Sequence, residues 1–208
     1  MNENITEEKM EQTEPVLQEE TQTAETAQQP KAGLSENAKE WIKDILIAIV
    51  VAFLVLQFIK PTIVQEHSME NTLHPNDYLF ISKQSYRLFG DPQRGDIIVF
   101  HSSLTTADGS EKLLVKRIIA IPGDTISITG GVVYINGEPQ EEAYTKDGYT
   151  NTEMDEITIP EGKLFCMGDN RQNSRDSRDS AIGLVDESLV LGKAVLRLFP
   201  FSRFGGLY

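Results

Sequence analysis

The 208-residue sequence is poor in the residues that build covalent or metal-based scaffolds. It contains one cysteine, Cys166, and three histidines. A single cysteine excludes an internal disulfide and any multi-cysteine zinc or iron–sulfur site. The scattered positions of His67, His74 and His101 argue against a histidine-based metal centre. Basic residues are also scarce, since 19 lysines and arginines face 32 acidic residues and the formal net charge is −13. Because nucleic-acid binding needs a basic surface, we expect no nucleic-acid partner. The cysteine and histidine counts lead us to expect no metal, and no cofactor is implied.

The amino-terminal segment has little to bury. Residues 13–30 are rich in Glu, Gln, Thr and Ala, and residues 1–44 hold 11 acidic residues against 4 lysines. Burial in such a segment cannot offset the entropy lost on ordering it. We therefore predict that residues 1–40 are a disordered acidic tail.

One long hydrophobic run follows this tail. Residues 45–59 carry no charge, and Trp41 and Ile42 lengthen the apolar stretch towards the roughly 20 residues that a membrane-spanning helix needs. A cleaved signal peptide is the rival interpretation. It is disfavoured because the run begins deep in the chain and no small-residue cleavage site follows it. We predict a transmembrane anchor over residues 41–60.

The flanking lysines predict how this anchor is oriented. Lys31, Lys39 and Lys43 lie on the amino-terminal side, whereas only Lys60 lies as close on the other side. Positive charge marks the cytoplasmic side of a membrane. The tail is therefore predicted to be cytoplasmic, and residues 61–208 are predicted to form an extracytoplasmic domain of a single-pass protein in the cell membrane.

The residues after the anchor show strand patterns and no long amphipathic helix. Turn signals separate the segments, and Asn136-Gly137 is typical of a two-residue hairpin turn. The sequence predicts a mostly β domain. The predicted strands are residues 78–82, 96–101, 112–121, 125–128, 132–135, 156–159, 163–167 and 194–199.

Two cations lie within one apolar strand, LLVKRIIAI. Side chains alternate between the faces of a strand, so Lys116 shares a face with Leu114 and Ile118, and Arg117 lies on the other face. A solvent-exposed lysine on an edge strand is one interpretation. The other is a desolvated lysine whose pKa falls until it can act as a base, with Arg117 adding like-charge repulsion. A neutral lysine amine can take a proton from a serine hydroxyl.

Two polar segments offer serines. Ser68 precedes a turn and, taken alone, fits a turn or helix-cap residue better than a nucleophile. The neighbouring His67 is a poor base for it, because adjacent residues of an extended segment point apart. Residues 168–180, GDNRQNSRDSRDS, fit a solvated loop or a phosphorylation target when taken alone.

Considered together, four blocks of residues resemble the type I signal peptidases. They occur in that family's order behind one anchor, and the resemblance covers roughly residues 41–200. The blocks are Ser68-Met69 with Thr72-Leu73; Arg94-Gly95-Asp96; Lys116-Arg117 with Pro122-Gly123-Asp124; and Gly168-Asp169-Asn170-Arg171 with Ser174, Asp176, Ser177 and Arg178.

The resemblance implies a mostly antiparallel β catalytic domain behind a single N-terminal transmembrane helix, and a Ser–Lys dyad in which Ser68 is the nucleophile and Lys116 the general base. Ser174 matches the serine that orients the lysine amine. The resemblance further implies a salt bridge between Asp176 and Arg178. Arg117 and Asp169 are further supporting residues. The pockets for the substrate's −1 and −3 side chains are expected to be lined by Val64, Gln65, Met69, Leu73, Leu114 and Val115.

The implied activity is removal of signal peptides from exported preproteins after small residues in Ala-x-Ala-like sites. The implied partners are these preproteins, the lipid bilayer and the secretion translocon. Glu66 departs from relatives that have a hydroxyl there for the oxyanion, so we expect the backbone N–H of Ser68 to serve instead. Two alternatives stay open: a self-cleaving repressor-type Ser–Lys protease, which the anchor disfavours, and an inactive membrane-anchored homologue acting as a binding module.

Overall fold

The structure, a computed structural model, describes residues 36–88, 90–106 and 108–207. The side chains of residues 36, 54–59 and 87 are outside this description. The chain divides into two units between Lys43 and Asp44. Residues 1–35 of the predicted tail lie outside the described residues.

One helix, α1, covers most of the predicted anchor. It runs from Glu36 to Phe58 and so begins five residues before the predicted start. It ends before Lys60, because Pro61 lacks an N–H and excludes the helical conformation for the residue before it. The last two residues of the predicted anchor belong instead to the first strand. Within the described part of the chain, no helix is both long and apolar enough to cross a membrane.

The second unit is built mainly from short strands, which confirms the mostly antiparallel β prediction. Every strand pairing in the described chain is antiparallel. The strands are β1 (Ile59–Ile63), β2 (Tyr78–Ser82), β3 (Ile97–Thr105), β4 (Glu111–Ala120), β5 (Thr125–Thr129), β6 (Val132–Ile135), β7 (Glu138–Pro139), β8 (Met154–Thr158), β9 (Lys163–Met167), β10 (Val185–Asp186) and β11 (Val190–Phe199). A one-turn helix, α2 (Ser85–Leu88), and two 3₁₀ turns, Glu187–Leu189 and Phe201–Arg203, complete the described elements.

Three of the predicted strands, β2, β6 and β9, match the structure to the residue. The other five predicted strands are present with shifted ends. The predicted hairpin turn is also confirmed. Asn136 and Gly137 both have positive φ angles, 54° and 80°, as a two-residue turn of this kind requires, and they join β6 to β7.

The strands form two sheets, and one apolar cluster contains residues of both, such as Phe165 of β9 and Ile126 of β5. A seven-stranded sheet has the order β1-β2-β11-β3-β4-β9-β10, and a four-stranded sheet has the order β7-β6-β5-β8. In β3, Ile97 and Val99 pack into one apolar cluster, whereas Ile98 and Phe100 pack into another on the opposite face. This alternation places β4, the neighbour of β3, between two buried layers.

Strand β4 has an edge that is only half covered. Strand β3 pairs with it from Glu111 to Arg117, but β9 pairs with its other edge only from Arg117 to Ala120. Among the described residues, the first half of that second edge has no strand partner. The gap lies directly before the strand's two central cations.

Candidate active site

The two cations of β4 lie on opposite faces, as the strand period predicts. Lys116 is 1% exposed, and its neighbours on the same face, Leu114 and Ile118, belong to one apolar cluster. Arg117 is also buried, on the other face. The interpretation of Lys116 as an exposed edge residue is therefore wrong, because the strand is covered on both faces.

The amine of Lys116 meets the hydroxyl of Ser68. The Nζ to Oγ distance is 2.7 Å, and the two residues are 48 positions apart in the chain. Nζ also donates to the carbonyl of Val115 at 3.1 Å. Ser68 is buried, so bulk water is largely excluded from this contact.

Burial lowers the pKa of Lys116 from 10.5 to about 8. Desolvation is the largest cause, because it penalises the charged amine. Asp176 and Glu66 oppose this shift by attraction, and Lys112 adds to it by repulsion. Lys112 is thus a source of like-charge repulsion that the sequence analysis did not name.

Arg117, on the other face of β4, forms an ion pair with a carboxylate. Its Nε and Nη2 donate to the two oxygens of Asp169 at 2.9 and 2.8 Å, and both side chains are buried. Its guanidinium also lies 4.1 Å from the ring centroid of Tyr144. Asp169 in turn accepts from the hydroxyl of Thr72 at 2.5 Å, which ties the pair to the segment that carries Ser68.

The backbone around Ser68 is fastened to the segment after β9. Asn170 donates its backbone N–H to the carbonyl of Ser68 at 3.0 Å and its side-chain amide to the carbonyl of His67 at 3.1 Å. Gly168 lies so close that an added Cβ would come within 2.3 Å of the Ser68 carbonyl and of Ser174 Oγ. Only glycine fits this approach.

The remaining supporting residues lie in the same segment. Asp176 accepts from Nε and Nη2 of Arg178, both at 2.8 Å, and from the N–H of Gly168 at 3.0 Å. Burial is the largest influence on the pKa of the Asp176 carboxyl and raises it, but the hydrogen bonds and charge of Arg178, with the N–H of Gly168 and the Ser174 hydroxyl, together hold that pKa below its usual value. Ser174 Oγ is buried. It contributes to this lowering, yet it makes no hydrogen bond of good geometry among the described residues.

Ser68 lies between two cavities. The first cavity has a volume of about 460 Å³, and half of its lining residues are apolar, among them Ile63, Val64, Met69, Val99 and Val115. The second cavity, of about 390 Å³, is more polar. Four residues line both cavities: Gln65, Glu66, Ser68 and Lys112.

Most of the predicted pocket residues line one of these cavities. Val64, Gln65, Met69 and Val115 line the first, and Leu114 lines the second together with Gln65. Leu73 lines neither cavity. It is completely buried in the apolar cluster that also holds Met69, because its turn folds it inward.

Among the described residues, the two titratable side chains before Ser68 pair with groups other than the dyad. Glu66 forms an ion pair with Lys112 on the wall that the two cavities share. His67 is exposed and its Nδ1 lies 2.6 Å from Glu70 Oε1, so it has no contact with the Ser68 hydroxyl.

Sequence reasoning missed two positioning groups. Arg171 is buried and donates to both oxygens of Glu142 at 2.6 Å, which fixes the start of the 168–180 segment. Asn170 was noted only as part of a motif. The 168–171 motif was the sequence signal for both residues. Their hydrogen-bond partners, Glu142 for Arg171 and the carbonyls of His67 and Ser68 for Asn170, are determined by the tertiary fold.

Comparison with known proteins identifies the family. The signal peptidase family, peptidase S26, matches residues 38–199 of the chain. The signal peptidase I of Bacillus licheniformis is 39% identical over 176 residues, which cover 79% of this chain and 90% of that protein. The probable signal peptidase I-1 of Synechocystis is 38% identical over 173 residues, with coverages of 81% and 86%. The signal peptidase I P of Bacillus subtilis subsp. natto is 38% identical over 179 residues, with coverages of 80% and 92%.

These matches extend over most of the chain and most of each relative, and they confirm the predicted family. The chain therefore belongs to the signal peptidase family, peptidase S26, as an enzyme of the type I class.

Proposed function

We propose that the chain is a membrane-bound serine endopeptidase that removes signal peptides from preproteins with Ser68 as nucleophile and Lys116 as general base. The observation that carries this proposal is the 2.7 Å contact between Lys116 Nζ and Ser68 Oγ in a buried site. A lysine whose pKa is about 8 is partly neutral near physiological pH, so its amine can accept the serine proton.

The reaction then proceeds in two steps. Ser68 Oγ attacks the scissile carbonyl while Lys116 takes its proton, and the amine of the leaving mature chain receives that proton as the peptide bond breaks. A water molecule deprotonated by Lys116 next attacks the ester on Ser68 and releases the signal peptide. Among the described residues, the N–H of Ser68 donates to no protein group, which leaves it available for the oxyanion.

The supporting residues position the dyad in this proposal. Arg117 and Asp169 fix the segment that carries Ser68, and Asp176 and Arg178 fix the loop that carries Ser174. An unpartnered buried hydroxyl is costly. We assign Ser174 the role of accepting a hydrogen bond from the Lys116 amine and orienting it as the proton moves.

The first cavity supports specificity for small residues. The uncovered edge of β4 can pair with an extended peptide, and successive side chains of that peptide would then alternate towards and away from the cavity. We propose that the −1 and −3 side chains then lie on the same side, against Val64, Met69 and Val115, which line the first cavity. An Ala-x-Ala-like site fits this arrangement.

Membrane attachment is supported by the surface of α1. Its apolar side chains are at least half exposed at most positions from Trp41 to Phe53. We propose that residues 41–60 anchor the chain in the cell membrane, with residues 1–40 as a cytoplasmic tail and residues 61–208 as the extracytoplasmic peptidase domain. The preproteins, the bilayer and the secretion translocon are then its partners.

The test is cleavage of a preprotein with an Ala-x-Ala site by the full chain in detergent micelles. We expect product formation at that site by the wild type and none by Ser68→Ala. Ser102→Ala is the matched control, because Ser102 is similarly buried and the hydrogen bonds of its hydroxyl are to backbone groups: it donates to the carbonyl of Lys112 and accepts from the N–H of Leu104. Equal cleavage by wild type and Ser68→Ala would refute the proposed nucleophile.

The alternative of a non-catalytic binding module gains no support from the site. Peptide binding alone does not require a desolvated lysine in contact with a serine hydroxyl, and burial of that amine lowers the stability of the protein.

A further inference from the structure

The second cavity has no assigned role in the proposed reaction, although Ser68 lines it. It lies against the same wall of Gln65, Glu66 and Lys112 as the first cavity. A peptide bound across Ser68 must send the residues before the scissile bond to one side and those after it to the other. The two cavities therefore take the two ends of one substrate.

The position of β1 in the chain indicates which cavity takes which end of the substrate. The first cavity extends along residues 60–63 of β1, the strand that follows directly after α1. A signal peptide's hydrophobic segment precedes its cleavage site and lies in the bilayer with the proposed anchor. The residues before the scissile bond thus enter the first cavity, and the second cavity is left for the residues after it.

One of the residues that line the second cavity is an arginine, Arg175, whose guanidinium can bind a carboxylate. Besides the shared wall, the cavity is lined by His67, Leu104, Leu114, Asn173 and Arg175. Arg175 is 60% exposed, and its Nε lies 3.3 Å from Asp179, which does not line the cavity. Within the described residues, its guanidinium makes no other ion pair or hydrogen bond. The terminal Nη groups can therefore receive a carboxylate in a forked geometry.

We propose that the second cavity is the subsite for the first residues of the mature chain, and that Arg175 selects an acidic side chain there. This inference rests on the proposed function. Because Arg175 is largely exposed, solvent screens it, and we expect a preference of about three- to fivefold for Glu over Lys at one of the first three mature positions.

The experiment uses the full chain in detergent micelles and a preprotein with an Ala-x-Ala site. Glu, Gln or Lys is placed in turn at each of the first three mature positions, and kcat/KM is measured for each. The wild type is expected to favour Glu over Lys at one position, and 0.5 M salt is expected to reduce that ratio.

Three variants separate the subsite from general effects of charge. Arg175→Glu is expected to reverse the ratio at the same position. Asp179→Asn removes the competing carboxylate while keeping its oxygen as a backbone acceptor, and it is expected to strengthen the preference. Lys163→Glu reverses a charge outside both cavities and is expected to leave the ratio unchanged.

Two negative results have different meanings. Cleavage of every substrate with no charge preference, or a preference that Arg175→Glu does not alter, would overturn the subsite alone. Absence of cleavage for every substrate would refute the proposed function, and the subsite with it.

Discussion

Replacing Lys116 by methionine is expected to lower kcat/KM for preprotein cleavage by at least about 10³-fold, because the variant keeps the buried volume but loses the only base in contact with Ser68 Oγ among the described residues. The same variant is expected to be more stable than the wild type at pH 7. Burial of the charged amine lowers its pKa from 10.5 to about 8, which corresponds to a cost of about 3 kcal/mol.

The stability difference between Lys116→Met and the wild type depends on pH, because the pKa of Lys116 differs between the folded and the unfolded protein. Between pH 8 and 10.5 the unfolded wild type binds more protons than the folded wild type at this residue, so the cost falls as pH rises through that window. The stability difference between variant and wild type is therefore largest below pH 8 and shrinks above it. Denaturant unfolding at pH 7 and pH 10 measures it, with Lys163→Met as an exposed control that should show little difference.

Gain of stability with loss of activity distinguishes a functional lysine from a structural one. A Lys116→Met variant that retained cleavage would show that another group activates Ser68. A variant destabilised at pH 7 would show that the amine contributes more through its hydrogen bonds than its desolvation costs.

The rate of cleavage is expected to rise about tenfold between pH 7 and pH 9. With a pKa of about 8, the neutral fraction of Lys116 is about one-tenth at the lower pH and nine-tenths at the higher. A plot of kcat/KM against pH measures this limb. A limb that begins only near pH 10.5 would contradict the buried-lysine mechanism.

The ion pair between Glu66 and Lys112 allows a test of whether nearby charges set the pH at which the cleavage rate rises. Glu66 attracts the charged amine and Lys112 repels it. Glu66→Gln is therefore expected to move the limb to lower pH, whereas Lys112→Met is expected to move it to higher pH. Movement of both variants in the same direction would show that the shift arises from packing and not from charge.

The sequence predicted the parts of the site that depend on local periodicity. Alternation along β4 separated Lys116 from Arg117, and the Asn136-Gly137 turn defined a hairpin. It failed where a neighbour in space decides the outcome. The pairing of Arg117 with Asp169, 52 residues away, and the repulsion of Lys116 by Lys112 both depend on the tertiary fold.

Other differences have the same origin. Strand β1 was not predicted, because Lys60-Pro61 marks the end of the hydrophobic run and only pairing with β2 makes the segment a strand. Leu73 has the residue type of a pocket wall, yet the turn after Ser68 directs it into the core. The partners of Asn170 lie about 100 residues away, and no sequence spacing indicates them.

The most direct test of the central claim is an NMR titration of the Lys116 side chain in the full chain, using carbon-13 at Cε and Lys116→Met to assign the signal. The mechanism requires an amine that loses its proton near neutral pH. We predict a midpoint near pH 8. A midpoint near 10.5, the ordinary value for lysine, would show that the amine stays charged beside Ser68 and cannot serve as its base.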